Sequence, residues 1–158
     1  MRKALIGTAL ATAAAAVVGG NSSRDGVRTW YPNLRKPSYV PPNVVFPIAW
    51  TTLYADIALT SAAAIEKFRA DGQNGKAVAY TAALGTNLVL NAGWSWVFFG
   101  KRKLGPSVLV AGALAVSSAD LARRAGQADV KLGVALAPYP LWCGFATVMS
   151  ADFWRLNR

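Results

Sequence analysis

An all-α integral membrane bundle of five transmembrane helices is the fold class that this sequence predicts, and three observations predict it. Apolar residues make up 54% of the 158-residue chain and charged residues only 15%, where soluble domains carry about 25% charge. Mean hydropathy is +0.30. The charges are gathered at Arg2–Lys3, Arg24–Lys36, Glu66–Lys76, Lys101–Lys103, Arg123–Lys131 and Arg155–Arg158, and the runs between them hold at most one acid each. Such runs have the length of a membrane-crossing helix, about 20 mostly apolar residues.

The first span is expected at Ala4–Gly20. Its basic start, short apolar core and small terminal residues also fit a cleaved secretory signal. Against that, Gly7, Ala11, Ala15 and Gly19 form a ladder of small side chains of the kind that lets helices approach closely in lipid. Residues 21–43 follow as a long connection. Its later part and the start of the next span hold prolines 32, 37, 41, 42 and 47 among aromatic and basic residues. Proline fixes φ and withholds an amide donor, so this segment is expected to form a stiff cover and not a continuous helix. An interfacial loop anchored by Trp30 and Tyr31 is the plainer alternative.

The second span, Val44–Ala64, presents Trp50, Leu53, Tyr54 and Ile57 on one face, with Asp56 beside them and no obvious local partner for that acid. In the third, Val78–Phe99, Asn87 and Asn91 are one turn apart and share a face with Trp94. Amides in hydrocarbon need partners, so this face points inward, either as glue between helices or as a polar anchor in a cavity. The "GKRKLGP" turn makes an antiparallel hairpin with the fourth span, Leu104–Ala122, which carries a ladder of Ala111, Ala115 and Ala119 beside Ser118. That ladder suits helix packing or a homodimer seam, and Asp120 lies within reach of Arg123 and Arg124. The fifth span, Leu132–Phe153, offers Pro138, Tyr139, Trp142, Phe145, Ala146 and Met149. Trp154 and Trp96 suit the membrane interface, whereas Trp50 and Trp142 sit near prolines and are candidates for a ligand pocket.

Several functions are excluded at this level. The net charge is +10, but the cations flank spans and contact headgroups, so no nucleic-acid partner is expected. The chain has one cysteine, Cys143, and no histidine, which removes an internal disulfide, the commonest metal ligand and the usual general base. No metal site is expected. Orientation is not set by charge: eight basic residues fall on one side of the expected topology and nine on the other.

The stretches "WYPNLRKPSYVPPNVVFPIAWTTLY", "NAGWSWVFFGKRK" and "PYPLWCGFATV" resemble the TspO and translocator-protein family, over the whole chain and in matching order. The resemblance implies a single five-helix domain over residues 1–158, commonly a homodimer, with a cavity opening toward the first connection, whose residues 21–43 form the expected lid. It implies ligands such as porphyrins and other tetrapyrroles, with haem or metal-free porphyrin as ligand and no required cofactor. The matching ligand-contacting positions are Trp50, Asn87, Asn91, Trp142 and Ala146, with Tyr31, Pro41 and Pro42 in the cover. Tyr54 and Trp94 join them from the faces above, and Arg28, Arg35 and Lys36 are placed to pair with carboxylates. Asn87 stands where many members carry glutamine and Ser150 where asparagine is usual. Ala151 and Asp152 replace the tyrosines around the sterol-recognition motif, which argues against sterol. The expected function is a membrane tetrapyrrole receptor, carrier or sensor. The alternatives are light-dependent porphyrin breakdown through Trp50 and Trp142, and small-molecule transport.

Overall fold

The computed structural model describes residues 2–158 and contains only helices, turns and connections among them. In chain order, α1 spans Arg2–Thr29, α2 Val45–Ala70, α3 Asn74–Ser95, α4 Leu104–Ala128, α5 Val130–Leu136 and α6 Pro138–Asn157. A short 3-10 turn, Tyr31–Asn33, follows α1, and a π-helical turn, Trp96–Gly100, extends α3. Among the described residues, α1, α2, α4 and the α5–α6 rod are long and apolar enough to cross a membrane. Helix α3, which carries Asn87 and Asn91, is not among them. Large apolar side chains point outward, with Val89 73%, Leu109 77% and Leu141 74% exposed. A helix surface meant for lipid has this character, because acyl chains are as apolar as leucine.

Helix α1 is longer than the expected Ala4–Gly20. It runs on through residues 21–29, so the first part of the expected lid is helix. The hydroxyls of Ser22, Ser23 and Thr29 donate to carbonyls one turn back, and the extension docks on the π-helical turn. Gly26 sits directly beneath the Phe99 carbonyl, and a Cβ on Gly100 would lie 3.3 Å from the carbonyl oxygen of Ser22. At about 1.5 Å per residue, α1 reaches about 42 Å, beyond a hydrocarbon core of about 30 Å. Its last turns therefore carry Arg24, Asp25 and Arg28 into the headgroup layer. There Asp25 accepts from Arg102 at 2.8 Å.

The remaining boundaries follow local chemistry. The α2–α3 turn is closed by Gly72 at φ +71°, with Gln73 N–H bonded to the Phe68 carbonyl at 2.7 Å and Gly72 N–H to that of Arg69 at 3.0 Å. This is a Schellman closure, which glycine enters without steric cost. Asp129 ends α4 and caps α5 by accepting from Lys131 N–H at 2.8 Å. The expected fifth span is broken where Pro138 opens α6, since proline cannot donate to the preceding turn.

Helix α4 packs along α6, α3 along α4, and α1 lies across α2 and α3. Both small-residue ladders turn partly inward. Ala15 and Gly19 of α1 are buried, as is Ala111 of α4, whereas Ala119 faces out. Gly19 lets α1 approach Ser95 of α3.

The α1–π-turn contact yields a test in which packing and helix propensity oppose one another. Alanine gains about 1 kcal/mol over glycine in a helix interior, yet at Gly26 its Cβ meets backbone, and overpacking costs about 1–3 kcal/mol. Thermal unfolding in detergent should show Gly26→Ala destabilised and Gly7→Ala, where the Cβ enters open space, unchanged or stabilised.

Candidate functional site

A cavity of about 500 Å³ lies between α1, the start of α2 and the end of α3, beneath the first connection. Its aromatic wall is Phe46, Trp50 and Tyr54 from α2, Trp94, Phe98 and Phe99 from the end of α3, and Tyr31 from the connection. Met149 closes the side toward α6, and small residues of α1, among them Ala16, Gly19 and Gly20, form the opposite wall. Asn43, Thr51, Ser23 and Ser95 add a few polar groups. A mostly apolar cavity of this size with sparse polar groups is the usual form of a small-molecule site.

The wall is held by ring contacts. Trp50 stacks on Tyr54 at 5.6 Å between centroids and an interplanar angle of 29°. Trp94 lies 5.4 Å from Phe98, and its indole N–H donates to Ser150 at 3.3 Å. Tyr31 is buried between Phe99 and Phe153. Serine at position 150 thus has a definite partner inside the bundle.

The expected site residues divide by position. Tyr31, Trp50, Tyr54 and Trp94 border the cavity. Trp142 stands behind Trp50, edge-on at 6.4 Å and 89°, and also touches Phe46 and Phe145. Ala146 is buried one turn further along α6. Asn87 and Asn91 lie off the wall, and their polar atoms are engaged with other helices. Tyr54 donates to Asn91 at 2.6 Å, Asn91 to the Tyr139 hydroxyl at 3.2 Å, and Tyr139 to Asn87 at 2.7 Å. Asn87 then donates to Ser118 at 3.1 Å and Ser117 at 3.2 Å. The amides connect to the cavity through Tyr54 and bind α2, α3, α4 and α6 together. Asp56, without an obvious partner in the sequence, accepts from Thr60 at 2.8 Å. Asp120 pairs with Arg123 and Arg124 as the spacing indicates.

The cover is attached to α6. Asn157 accepts from the Arg35 N–H and donates to the Arg35 carbonyl, both at 2.9 Å. The Tyr39 hydroxyl donates to Asp152 at 2.6 Å, and its ring meets Phe145. Pro41 and Pro42 precede Asn43 at the rim without bordering the cavity themselves. Arg28, Arg35 and Lys36 are exposed and do not border the cavity, with the Lys36 ammonium 4.9 Å from the centre of the Tyr31 ring. The α1 wall and Asn43 escaped the sequence reading. The glycine ladder that signalled close packing is the same feature that leaves room for the cavity.

The profile of the TspO/MBR family matches residues 7–155. The chain is 32% identical to protein CrtK of Rhodobacter capsulatus over 91% of its own length and 88% of the relative's. It is 37% identical to the tryptophan-rich sensory protein of Cereibacter sphaeroides, covering 81% and 77%. To the human translocator protein it is 33% identical, covering 85% and 78%.

Two measurements follow from this geometry. Tyr139→Phe strips Asn87 and Asn91 of a buried partner, and an unpaired buried polar group costs about 1–3 kcal/mol, which should appear as a lowered melting temperature. At the cover, partial burial first, then the hydrogen bond to Asp152 and its charge, push the Tyr39 phenol from 10.0 up to about 12, against the opposing pull of Arg155. Its contribution to stability is therefore complete below pH 10 and lost as pH rises through about 12. The phenolate absorbance difference between wild type and Tyr39→Phe should show this titration, and Asp152→Asn should lower it.

Proposed function

The chain belongs to the TspO/MBR family of multi-pass membrane proteins, and from that premise we propose that it is a membrane tetrapyrrole-binding protein acting as receptor, carrier or sensor. In this reading all five rods cross the bilayer, including α3, whose amides are shielded by their own network. The observation that carries the proposal is the aromatic cavity of about 500 Å³ beneath the proline-rich cover. A porphyrin is flat and apolar with carboxylates at its edge. Trp50, Tyr54 and Trp94 supply faces and edges for the ring. Arg28, Arg35 and Lys36 hold the nearest strong cations for the propionates at the membrane surface. The stiff cover, residues 30–43, limits the entropy lost when a ligand is enclosed. With no histidine in the chain, binding does not depend on an imidazole–iron bond, so metal-free porphyrin binds at least as readily as haem. A homodimer in the bilayer is part of the same proposal.

A second reading is light-driven porphyrin breakdown, and the edge-on pair of Trp50 and Trp142 favours it. Trp50 borders the cavity and Trp142 backs it, so an oxidised Trp50 has an aromatic neighbour within van der Waals reach.

Titration of the lipid-reconstituted protein with protoporphyrin, followed by tryptophan quenching in the dark, tests the first reading. Trp50→Ala removes one stacking face worth about 1–2 kcal/mol, so affinity should fall about tenfold. An unchanged affinity would place the ligand elsewhere. Illumination of the Trp50→Phe, Trp142→Phe double variant tests the second: breakdown at the wild-type rate overturns it.

A further inference from the structure

A second concavity lies at the opposite end of the bundle, between the start of α1, the end of α2 and the start of α3. It encloses about 470 Å³. Its floor is apolar: Ala4, Ile65, Leu84 and Leu88 are buried there. Two hydroxyls line the concavity and both are already engaged: Thr8 donates to the Ala58 carbonyl at 2.8 Å and Thr81 to the Ala77 carbonyl at 2.9 Å. Its rims are small. A Cβ on Gly7 of α1 or Gly85 of α3 would meet open space, so both glycines leave the groove unfilled. The polar character gathers at one end, where Lys3 and Arg69 border the same groove. Lys3 has no ion-pair partner among the described residues. Arg69 shares one N–H with Glu66 at 3.4 Å and keeps its other donors.

The direction of the helices places these parts at defined depths. Helices α1 and α3 begin at this face and α2 ends there. Lys3 and Arg69 therefore lie at the membrane surface, and Ala11 and Leu88 lie deeper. From Lys3 to Ala11 the groove follows α1 for about 12 Å at the helical rise. A cationic mouth above an apolar slot is complementary to one kind of molecule already present in the bilayer: an anion at headgroup level attached to a hydrocarbon tail. Basic pockets between helices bind anionic lipid headgroups by this arrangement.

We propose that the groove between α1, α2 and α3 is a binding site for an anionic phospholipid. One acyl chain lies along Gly7, Ala11 and Gly85, and the phosphate sits between Lys3 and Arg69. The site is separate from the aromatic cavity, which lies at the other end of the same helices, and it does not depend on the tetrapyrrole reading.

The experiment uses the full chain reconstituted in phosphatidylcholine vesicles with about one part in five of phosphatidylglycerol, a composition that presents an anionic surface. After transfer to detergent, native mass spectrometry counts the lipids retained on each chain. The expected result is one retained phosphatidylglycerol per chain, in preference to phosphatidylcholine. The Lys3→Gln, Arg69→Gln variant should lower that preference about twenty-five-fold, since each surface cation is worth about a fivefold factor. Gly85→Leu, which fills the slot and also favours helix, should abolish retention. Gly7→Leu fills it from the opposite rim, and far-UV circular dichroism verifies the fold of each. Wild-type retention in the charge variant overturns the anionic headgroup, because the slot then holds any lipid. Wild-type retention in both filled variants overturns the acyl-chain seat, because the two cations then act as an ordinary surface patch.

Discussion

Four helices meet on one run of hydrogen bonds, from Tyr54 through Asn91, Tyr139 and Asn87 to Ser118. The rest of the bundle is arranged around it. Within hydrocarbon there is no water to complete an unpaired amide, so each of these groups must find its partner in the protein. A network of this kind stabilises only when every member is satisfied. Here that condition holds, and among the described residues no buried side-chain nitrogen or oxygen lacks a partner. Dispersion packing between helices tolerates sliding, because one apolar contact resembles the next. The amide–phenol run does not, since a shift of one residue would strand several donors at once. It sets the register of α2, α3, α4 and α6 together.

The aromatic cavity inherits its shape from that register. Tyr54 is both the first member of the run and the ring on which Trp50 stacks. Trp50 in turn meets Trp142 and, through it, Phe46 and Phe145. On the other side, the Trp94 indole is tied to Ser150. Each large ring of the wall is held on its outer side by a hydrogen bond or by another ring. The space between them is therefore maintained by the polar core and does not depend on a ligand to prop it open.

Much of this was legible in the sequence, and the exceptions have physical reasons. The spacing of Asn87 and Asn91 placed them on one inward face, because a helical period fixes which residues are neighbours. Trp50, Tyr54 and Trp94 were placed in the wall on similar grounds. Spacing does not reveal what faces the amides from other helices, and Tyr139 and Ser118, which complete the run, come from distant parts of the chain. The end of α1 was misplaced because "NSSRDGVRT" has the polarity and turn-forming residues of a loop. Its helicity comes from docking against Phe99 and Gly100, a tertiary effect that overrides local propensity. Trp142 stands behind Trp50 and not in the cavity wall itself, since periodicity gives the face of a helix but not its distance from a cavity. Asp56 and Thr60 are one helical turn apart, so the same helical arithmetic allows their pairing.

The attachment of the cover gives α6 two separate moorings. The helix is about 30 Å long. Near its start it carries Tyr139 and Trp142, and at its far end it carries Asp152 and Asn157. One end is thus fastened in the polar core and behind the wall of the cavity, while the other holds the cover. A single element clasps both the floor and the roof of the aromatic chamber.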